Sequence, residues 1–253
     1  MIQLNNVTLI TIDTEPDVIP LTRAAARETL KIINPKDFIF FGNEPLGLGE
    51  RYYPINRFRS SKEYARFLLK NLWPFITTTH IITIHWDGFP TNEVRWRNEF
   101  LDYDYIGAPW IWSFEGFNIG NGGFSIRSKK LLDLCASDIV DLDWEYFEGG
   151  EDVMIGIKHR KFLEKNNCKF PSPQLAAQFS YETGPLNENA FGFHSPVNIP
   201  LYASENYLME NAEYFFKKIK ANAQGKEILK NCESKNYYRF IESFRAFNEN
   251  RVQ

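Results

Sequence analysis

"VTLITIDT", Val7 to Thr14, decides the fold. Its β-branched, apolar run ends in the oxygen-bearing side chains of Thr11, Asp13 and Thr14, the pattern of a buried parallel strand whose carboxyl end opens onto a site. Working outward, Pro16 and Pro20 precede "LTRAAARETLKII" (Leu21–Ile33), whose apolar residues recur at helical spacing, and "NPKD" terminates that helix. "DFIFFG" (Asp37–Gly42) reads as a second strand. "SSKEYARFLLKNLWPFI" predicts a helix capped by Ser60 or Ser61, with Tyr64, Phe67, Leu68 and Leu72 on one face and Pro74 at its end. "HIITIHWDGF" (His80–Phe89) is the next strand, running into a turn at Asp87-Gly88. Alternating helices and strands predict an α/β layer with a mainly parallel sheet flanked by helices, whose ligands lie at the carboxyl ends of strands. Thr11, Asp13, Thr14, His85 and Asp87 stand at such ends.

The second half differs in texture, with short strands, aromatic loops such as "GAPWIWSFEGF" (Gly107–Phe117), and glycine-rich turns up to a helix opening at Glu151. From Ser204 the chain turns helical and polar, and Tyr207, Leu208, Ala212, Phe215, Phe216 and Ile219 form an apolar stripe. Residues 1–203 are therefore read as one domain. Residues 204–253 are read as a C-terminal helical extension packed on it or offering a partner surface.

Composition excludes several classes. A chain of 253 residues, 43% hydrophobic and 24% charged, is an ordinary globular one rather than a disordered one. A formal charge of -3 argues against nucleic acid as the partner, leaving Lys217, Lys218 and Lys220 as a local basic face. The aromatic share of 16% supplies core and also rings able to stack on sugars or bases. The N-terminus lacks the basic start, apolar run and cleavage site of a signal peptide. No apolar stretch reaches the ~18 residues of a membrane-spanning helix, so membrane contact is expected to be peripheral. Cys135, Cys168 and Cys232 are odd in number and scattered, which fits neither a disulfide framework nor a zinc site; a cytoplasmic location is expected.

Three constellations carry chemistry. In His85-Trp86-Asp87, side chains two apart in an extended strand point the same way. They suit either a hard divalent cation bridged to a phosphate-bearing ligand or a plain polar strand end. In "NIGNGGFSIRSKK" (Asn118–Lys130), Gly120, Gly122 and Gly123 let backbone approach a sugar hydroxyl or phosphate, or relieve a crowded crossing of loops. In "FEGGEDVMIGIKHRKFLE" (Phe147–Glu164), Gly149 and Gly150 lead into Glu151 and Asp152 at the first turn of a helix. The helix dipole favours acids there, which serves stability and equally holds a carboxylate ionised for a general base. His80 and His159 are read as a strand start and a helix surface without ligands, and Arg127 in "RSKK" as a solvated helix start.

Together the motifs resemble an uncharacterised bacterial and viral group of GT-A-like glycosyltransferases. The resemblance rests on His85 to Phe89, "DYIGAPW" (Asp104–Trp110), "GNGGFSIRS" (Gly120–Ser128), the Glu151-Asp152 pair and "FGFH" (Phe191–His194), and spans most of the chain up to about His194. It implies a GT-A-like (Rossmann-like) mixed fold, a nucleoside-diphosphate sugar as donor and a glycan or other hydroxyl acceptor. "GGED" is also similar to the acidic motif of the inverting β-1,4-galactosyltransferases, which implies Asp152 as catalytic base and Glu151 as a sugar contact. By the same resemblance Thr11, Asp13 and Thr14 receive the base and ribose, with His85 also on the donor side. Asp87 and His194 hold Mn²⁺ or Mg²⁺ across the diphosphate, and Gly122 and Gly123 lie along the donor sugar; Trp110, with Trp112, either stacks on an acceptor ring or packs within the protein. The departure is at the usual Asp-x-Asp metal motif, where His85-Trp86-Asp87 keeps only the second carboxylate. Rival readings are a hydrolase using Asp87 and Asp152 as a carboxylate pair, and a sugar- or nucleotide-sugar-binding module without turnover.

Overall fold

The computed structural model describes residues 1–142, 150–219 and 223–249, so Gly149 and Lys220 lie outside the described residues. The strands are β1 (Ile2–Asp13), β2 (Ile33–Gly42), β3 (Arg51–Pro54), β4 (His80–Ile84), β5 (Gly88–Pro90), β6 (Tyr105–Ile106), β7 (Pro109–Phe114), β8 (Phe117–Ile119), β9 (Ser125–Ser128), β10 (Ser180–Tyr181) and β11 (Gly192–His194). The main sheet has the order β3-β2-β1-β4-β9-β6. Its β3, β2, β1 and β4 pair in parallel, while β9 runs antiparallel to both β4 and β6. This is the mixed, mainly parallel sheet flanked by helices that the sequence predicts.

The helices used below are α1 (Ile19–Ile32), α2 (Ser61–Arg66), α3 (Lys129–Ala136), α4 (Glu151–Val153), α5 (Arg160–Lys165), α6 (Pro173–Phe179), α7 (Ile199–Tyr202), α8 (Glu205–Glu210), α9 (Ala212–Lys218), α10 (Ala223–Ser234) and α11 (Tyr238–Glu249). Strand alternation sorts the sheet into two buried faces. Leu9, Phe38, Phe40, Ile82 and Ile84 face one cluster together with Leu21, Ala24, Ala25 and Ala26 of α1. Ile10, Ile12, Ile39, Phe41 and Ile81 face the other, which Leu68 and Leu72 complete from the segment after α2. The alanines of α1 bring that helix close to the strands, and Pro20 sits in its first turn, where a missing N–H costs nothing.

Two boundaries differ from the sequence reading. "NPKD" does follow the end of the helix, but β2 starts at Ile33 rather than Asp37, because Asn34 and Pro35 already pair with Gln3 and Leu4 before the register shifts. β3 joins β2 only from Ile39 onward, so Pro35 lies where β2 has a free side and its absent N–H is tolerated. The helix expected to run to Pro74 stops at Arg66, widens into a π-type turn over Phe67–Asn71 and closes with a 3-10 turn at Trp73–Phe75. Ser60 is the cap: its side chain accepts from the Glu63 N–H at 3.2 Å, while Glu63 accepts from the Arg59 N–H.

Helices α8 to α11 bury Tyr207, Leu208, Phe215, Phe216, Phe240 and Phe244 in the same cluster that holds β1 and α1. The rings of Phe215 and Trp86 lie 6.3 Å apart, which seats α9 against the loop leaving β4. No helix among the described residues is long and apolar enough to cross a membrane. Cys135, Cys168 and Cys232 are buried, free thiols.

Candidate active site

The site begins where β4 ends. His85 and Gly88 exchange backbone hydrogen bonds of 2.9 and 3.1 Å, closing a two-residue turn at Trp86-Asp87. Asp87 therefore lies in a reversal, not in extended chain, and the turn rather than strand alternation brings it beside His85. Strand β11 then pairs antiparallel with β5, placing His194 opposite Gly88. A Cβ on Gly88 would come within 2.7 Å of the His194 ring, so that glycine admits the imidazole. His194 Nε2 is 3.7 Å from Asp87 Oδ1. One ligand atom from each of His85, Asp87 and His194 lies within 4.8 Å of the others, the one such group found among the described residues. Two imidazoles and a carboxylate form a donor set suited to Mn²⁺ and other divalent ions. His85, read from the sequence as a donor-side residue, thus joins Asp87 and His194 in the one group whose geometry could hold an ion among the described residues.

The other nitrogen of His194 is held as metal-bound histidines are. Its Nδ1 faces Glu182 Oε1 at 3.1 Å and the Asn121 amide nitrogen at 2.6 Å. Nδ1 either donates its proton to the Glu182 carboxylate or accepts from the Asn121 amide; in the first tautomer Nε2 keeps its lone pair for a cation. Burial alone would lower the His194 pKa, but Asp87, Glu182 and Asp152 raise it above the ordinary value. Those carboxylates stabilise positive charge at this spot, whether a proton or a cation carries it. Burial lowers the His85 pKa, keeping a neutral ring that can ligate, and Tyr64 Oη lies 2.6 Å from its Nε2.

Beside this group opens a cleft of about 480 Å³ lined by Thr11, Asp13, Thr14, Tyr64, His85, Trp86 and Lys218, among others. It unites the sequence-predicted ends of β1 and β4. Asp13 accepts from the Thr22 hydroxyl at 2.6 Å and the Glu15 N–H at 3.0 Å; burial raises its pKa. The buried Thr11 hydroxyl has no partner among the described residues. Thr14 Oγ1 accepts from the Phe58 N–H at 3.2 Å.

The glycine-rich segment does not line that cleft; it lies against Glu151 and His194. Asn121 has a left-handed φ of 62°, which asparagine tolerates. A Cβ on Gly122 would sit 1.9 Å from Glu151 Oε1, and one on Gly123 would sit 2.2 Å from His194 Nε2. The space these glycines leave is filled by the protein's own Glu151 and His194, rather than lying open along a donor sugar. Arg127 is not at a solvated helix start: it belongs to β9, is fully buried and pairs with Glu151 at 2.6 Å. Glu151, expected to touch a sugar, turns its buried carboxylate inward onto that guanidinium.

Asp152 follows on the same turn and is less buried. Its Oδ1 accepts from the Val153 N–H at 2.9 Å. Burial, and then the adjacent Glu151 carboxylate, push its pKa up to about 6. The sequence reading had a helix dipole holding this acid ionised; α4 has only three residues before a wider turn at Met154–Lys158, and burial outweighs so short a dipole. The result is a carboxyl group held above the ordinary aspartate range by burial and by Glu151.

Trp110 stacks on Trp112 with centroids 4.5 Å apart and planes at 8°. Its ring also fills the room left by the missing Cβ atoms of Gly120 and Gly156. Protein contacts thus engage Trp110, and Trp112, 45% exposed, presents the freer ring. Sequence reasoning missed Tyr64, Asn121, Glu182 and the inward Arg127, and placed Lys218 on a basic face rather than in the cleft. The strand character of "FSIRS" is the signal that could have found Arg127. Glu182 has no local signal, since only the fold brings it to His194.

The chain belongs to the family described as "Protein of unknown function (DUF5672)", whose model matches residues 48–194. That span holds His85, Asp87, Arg127, Glu151, Asp152, Glu182 and His194, and leaves out β1 and α9. No curated protein matches the sequence. Among solved structures, the chain is similar to a glycosyltransferase involved in glycosylation of the major capsid of PBCV-1, at 14% identity and a TM-score of 0.49, covering 83% of this chain and 98% of that one. It is similar to the galactosyltransferase LgtC in complex with donor and acceptor sugar analogs, at 10% identity and a TM-score of 0.43, covering 87% and 99%. GlyE of Streptococcus pneumoniae TIGR4 matches at 12% identity and a TM-score of 0.47, with 92% of this chain and 64% of that one covered.

Proposed function

We propose that the protein is a glycosyltransferase that moves a sugar from a nucleoside-diphosphate sugar to an acceptor hydroxyl, with inversion and with help from Mn²⁺ or Mg²⁺. One observation carries the reading: the His85, Asp87 and His194 group adjoins a cleft at the strand ends, and the field of Asp152 reaches the same His194. A cation-gripping acid and a proton-accepting acid thus share one neighbourhood. The order of motifs that resembles the GT-A-like group supplies the substrate class.

Each residue then has a task. The cleft formed by Thr11, Asp13 and Thr14 takes the nucleoside, and Lys218 places a positive charge at its rim. His85, Asp87 and His194 would hold the divalent cation, which when bound offsets charge growing on the leaving diphosphate. Glu182 orients His194. Asp152 takes the proton from the acceptor hydroxyl as its oxygen attacks the anomeric carbon from the face opposite the nucleotide. A single base with direct displacement gives inversion. Three buried thiols without disulfides support a reducing, cytoplasmic setting.

The test is incubation with a panel of nucleotide sugars, with Mn²⁺, Mg²⁺ or EDTA, reading release of nucleoside diphosphate. Cation-dependent release is expected. Binding of a nucleotide sugar with no release from any donor would instead establish a binding module. Asp152→Asn is expected to lower turnover by about 100-fold or more while donor binding persists; full activity in that variant removes Asp152 from the base role.

A further inference from the structure

We infer that Arg127 and Glu151 form a buried brace that positions Asp152, which makes Glu151 a positioning residue and not a sugar contact. The inference rests on Asp152 being the base. Four segments meet at the guanidinium. Its Nη2 donates to Glu151 Oε1 at 2.6 Å and to the Gly122 carbonyl at 3.4 Å, and its Nε donates to Ser125 Oγ at 3.2 Å. The Tyr105 ring lies 5.7 Å away, and the Tyr105 hydroxyl donates to the Asn121 carbonyl at 3.1 Å. The Glu151 carboxylate occupies the space of the missing Gly122 Cβ. Its Oε1 is committed to a guanidinium that is wholly buried, and only 5% of the Glu151 side chain is exposed.

Local structure does little to fix the turn that carries Asp152. Gly150 at its start makes no side-chain capping bond, and α4 lasts three residues before the backbone widens. The ion pair supplies the missing constraint by pinning the residue immediately before Asp152 to strand β9, which is hydrogen-bonded on both sides in the main sheet. A buried ion pair is a costly way to gain stability alone, since apolar residues of the same volume do as well. What it adds is direction. The next glycine of the same segment, Gly123, lies against the His194 ring, so one glycine-rich segment registers the proposed base against that histidine.

The experiment uses the full chain and three variants: Glu151→Gln, Arg127→Met and the double variant Arg127→Met/Glu151→Met. Among the described residues, the groups facing Asp152 are Glu151, Arg127 and His194, with the phenols of Tyr64 and Tyr105 further round. Carbon NMR of the Asp152 carboxyl reads its titration without any assay of activity. Glu151→Gln is expected to lower the midpoint from about 6, and Arg127→Met to raise it. The double variant, with both charges gone, is expected to melt near the parent temperature. In it turnover should fall about 100-fold through misplacement of Asp152, with UDP and GDP binding unchanged. Weaker UDP or GDP binding in Glu151→Gln with an unmoved Asp152 midpoint would make Glu151 a ligand contact and overturn the brace. Full turnover in the folded double variant would overturn it too. If the midpoints move as expected while the parent protein releases diphosphate from no nucleotide sugar, the proposed function fails and the brace stands.

Discussion

Gly123 leaves no more room than the imidazole of His194 requires, so a single methyl there tests the metal-binding group. Gly123→Ala is expected to displace the ring and weaken Mn²⁺ binding at least tenfold, about 1.4 kcal/mol, by calorimetric titration. As the proposed base, Asp152 is expected to set the acid side of the rate profile. A base works only when ionised, so turnover should rise with pH through about 6 and level off above it, measured with saturating donor. The sequence marked Gly122 and Gly123 as places of close approach. It could not say what approaches, because Glu151 and His194 are remote along the chain and reach the loop only through β9 and β11.

Among elements, strands with one pattern on each face were legible and short or turned ones were not. β1, β2 and β4 announce themselves by β-branched, apolar runs that the two faces of the sheet require. β9 is four residues long and ends in "RS" before two lysines, so its charge reads as a helix start until the sheet is seen to bury it. That burial gives a stability prediction. Arg127→Met alone leaves Glu151 as an uncompensated buried charge and is expected to cost about 3–5 kcal/mol in urea denaturation. Exchanging both partners for methionine is expected to recover most of it. The hairpin turn at Trp86-Asp87 was read one residue late; the error was harmless for the chemistry, because reversal and alternation both put Asp87 next to His85.

At the scale of the molecule, α8 to α11 are part of the core that encloses β1 and α1. Phe216 meets Phe240, Phe244 and Phe247, while Phe215 meets Trp86 and Tyr207. Phe215→Ala is expected to destabilise the fold by about 3–5 kcal/mol and to loosen the Trp86-Asp87 turn, read as a lower urea midpoint together with weaker Mn²⁺ binding. The α/β class, the sheet's ligand-binding end and the helical character of the C-terminal stretch could all be read from periodicity. The convergence of that stretch on the cleft could not, since periodicity says which side of a helix is apolar and nothing of what covers it. Lys218 at the cleft wall has a further meaning for biosynthesis. β1 is made well before α8 to α11, which share its buried cluster, so the nascent chain carries that apolar surface unsheltered until residues beyond 218 have emerged. A chain cut short before that point is expected to go to chaperones and proteases instead of folding with reduced stability.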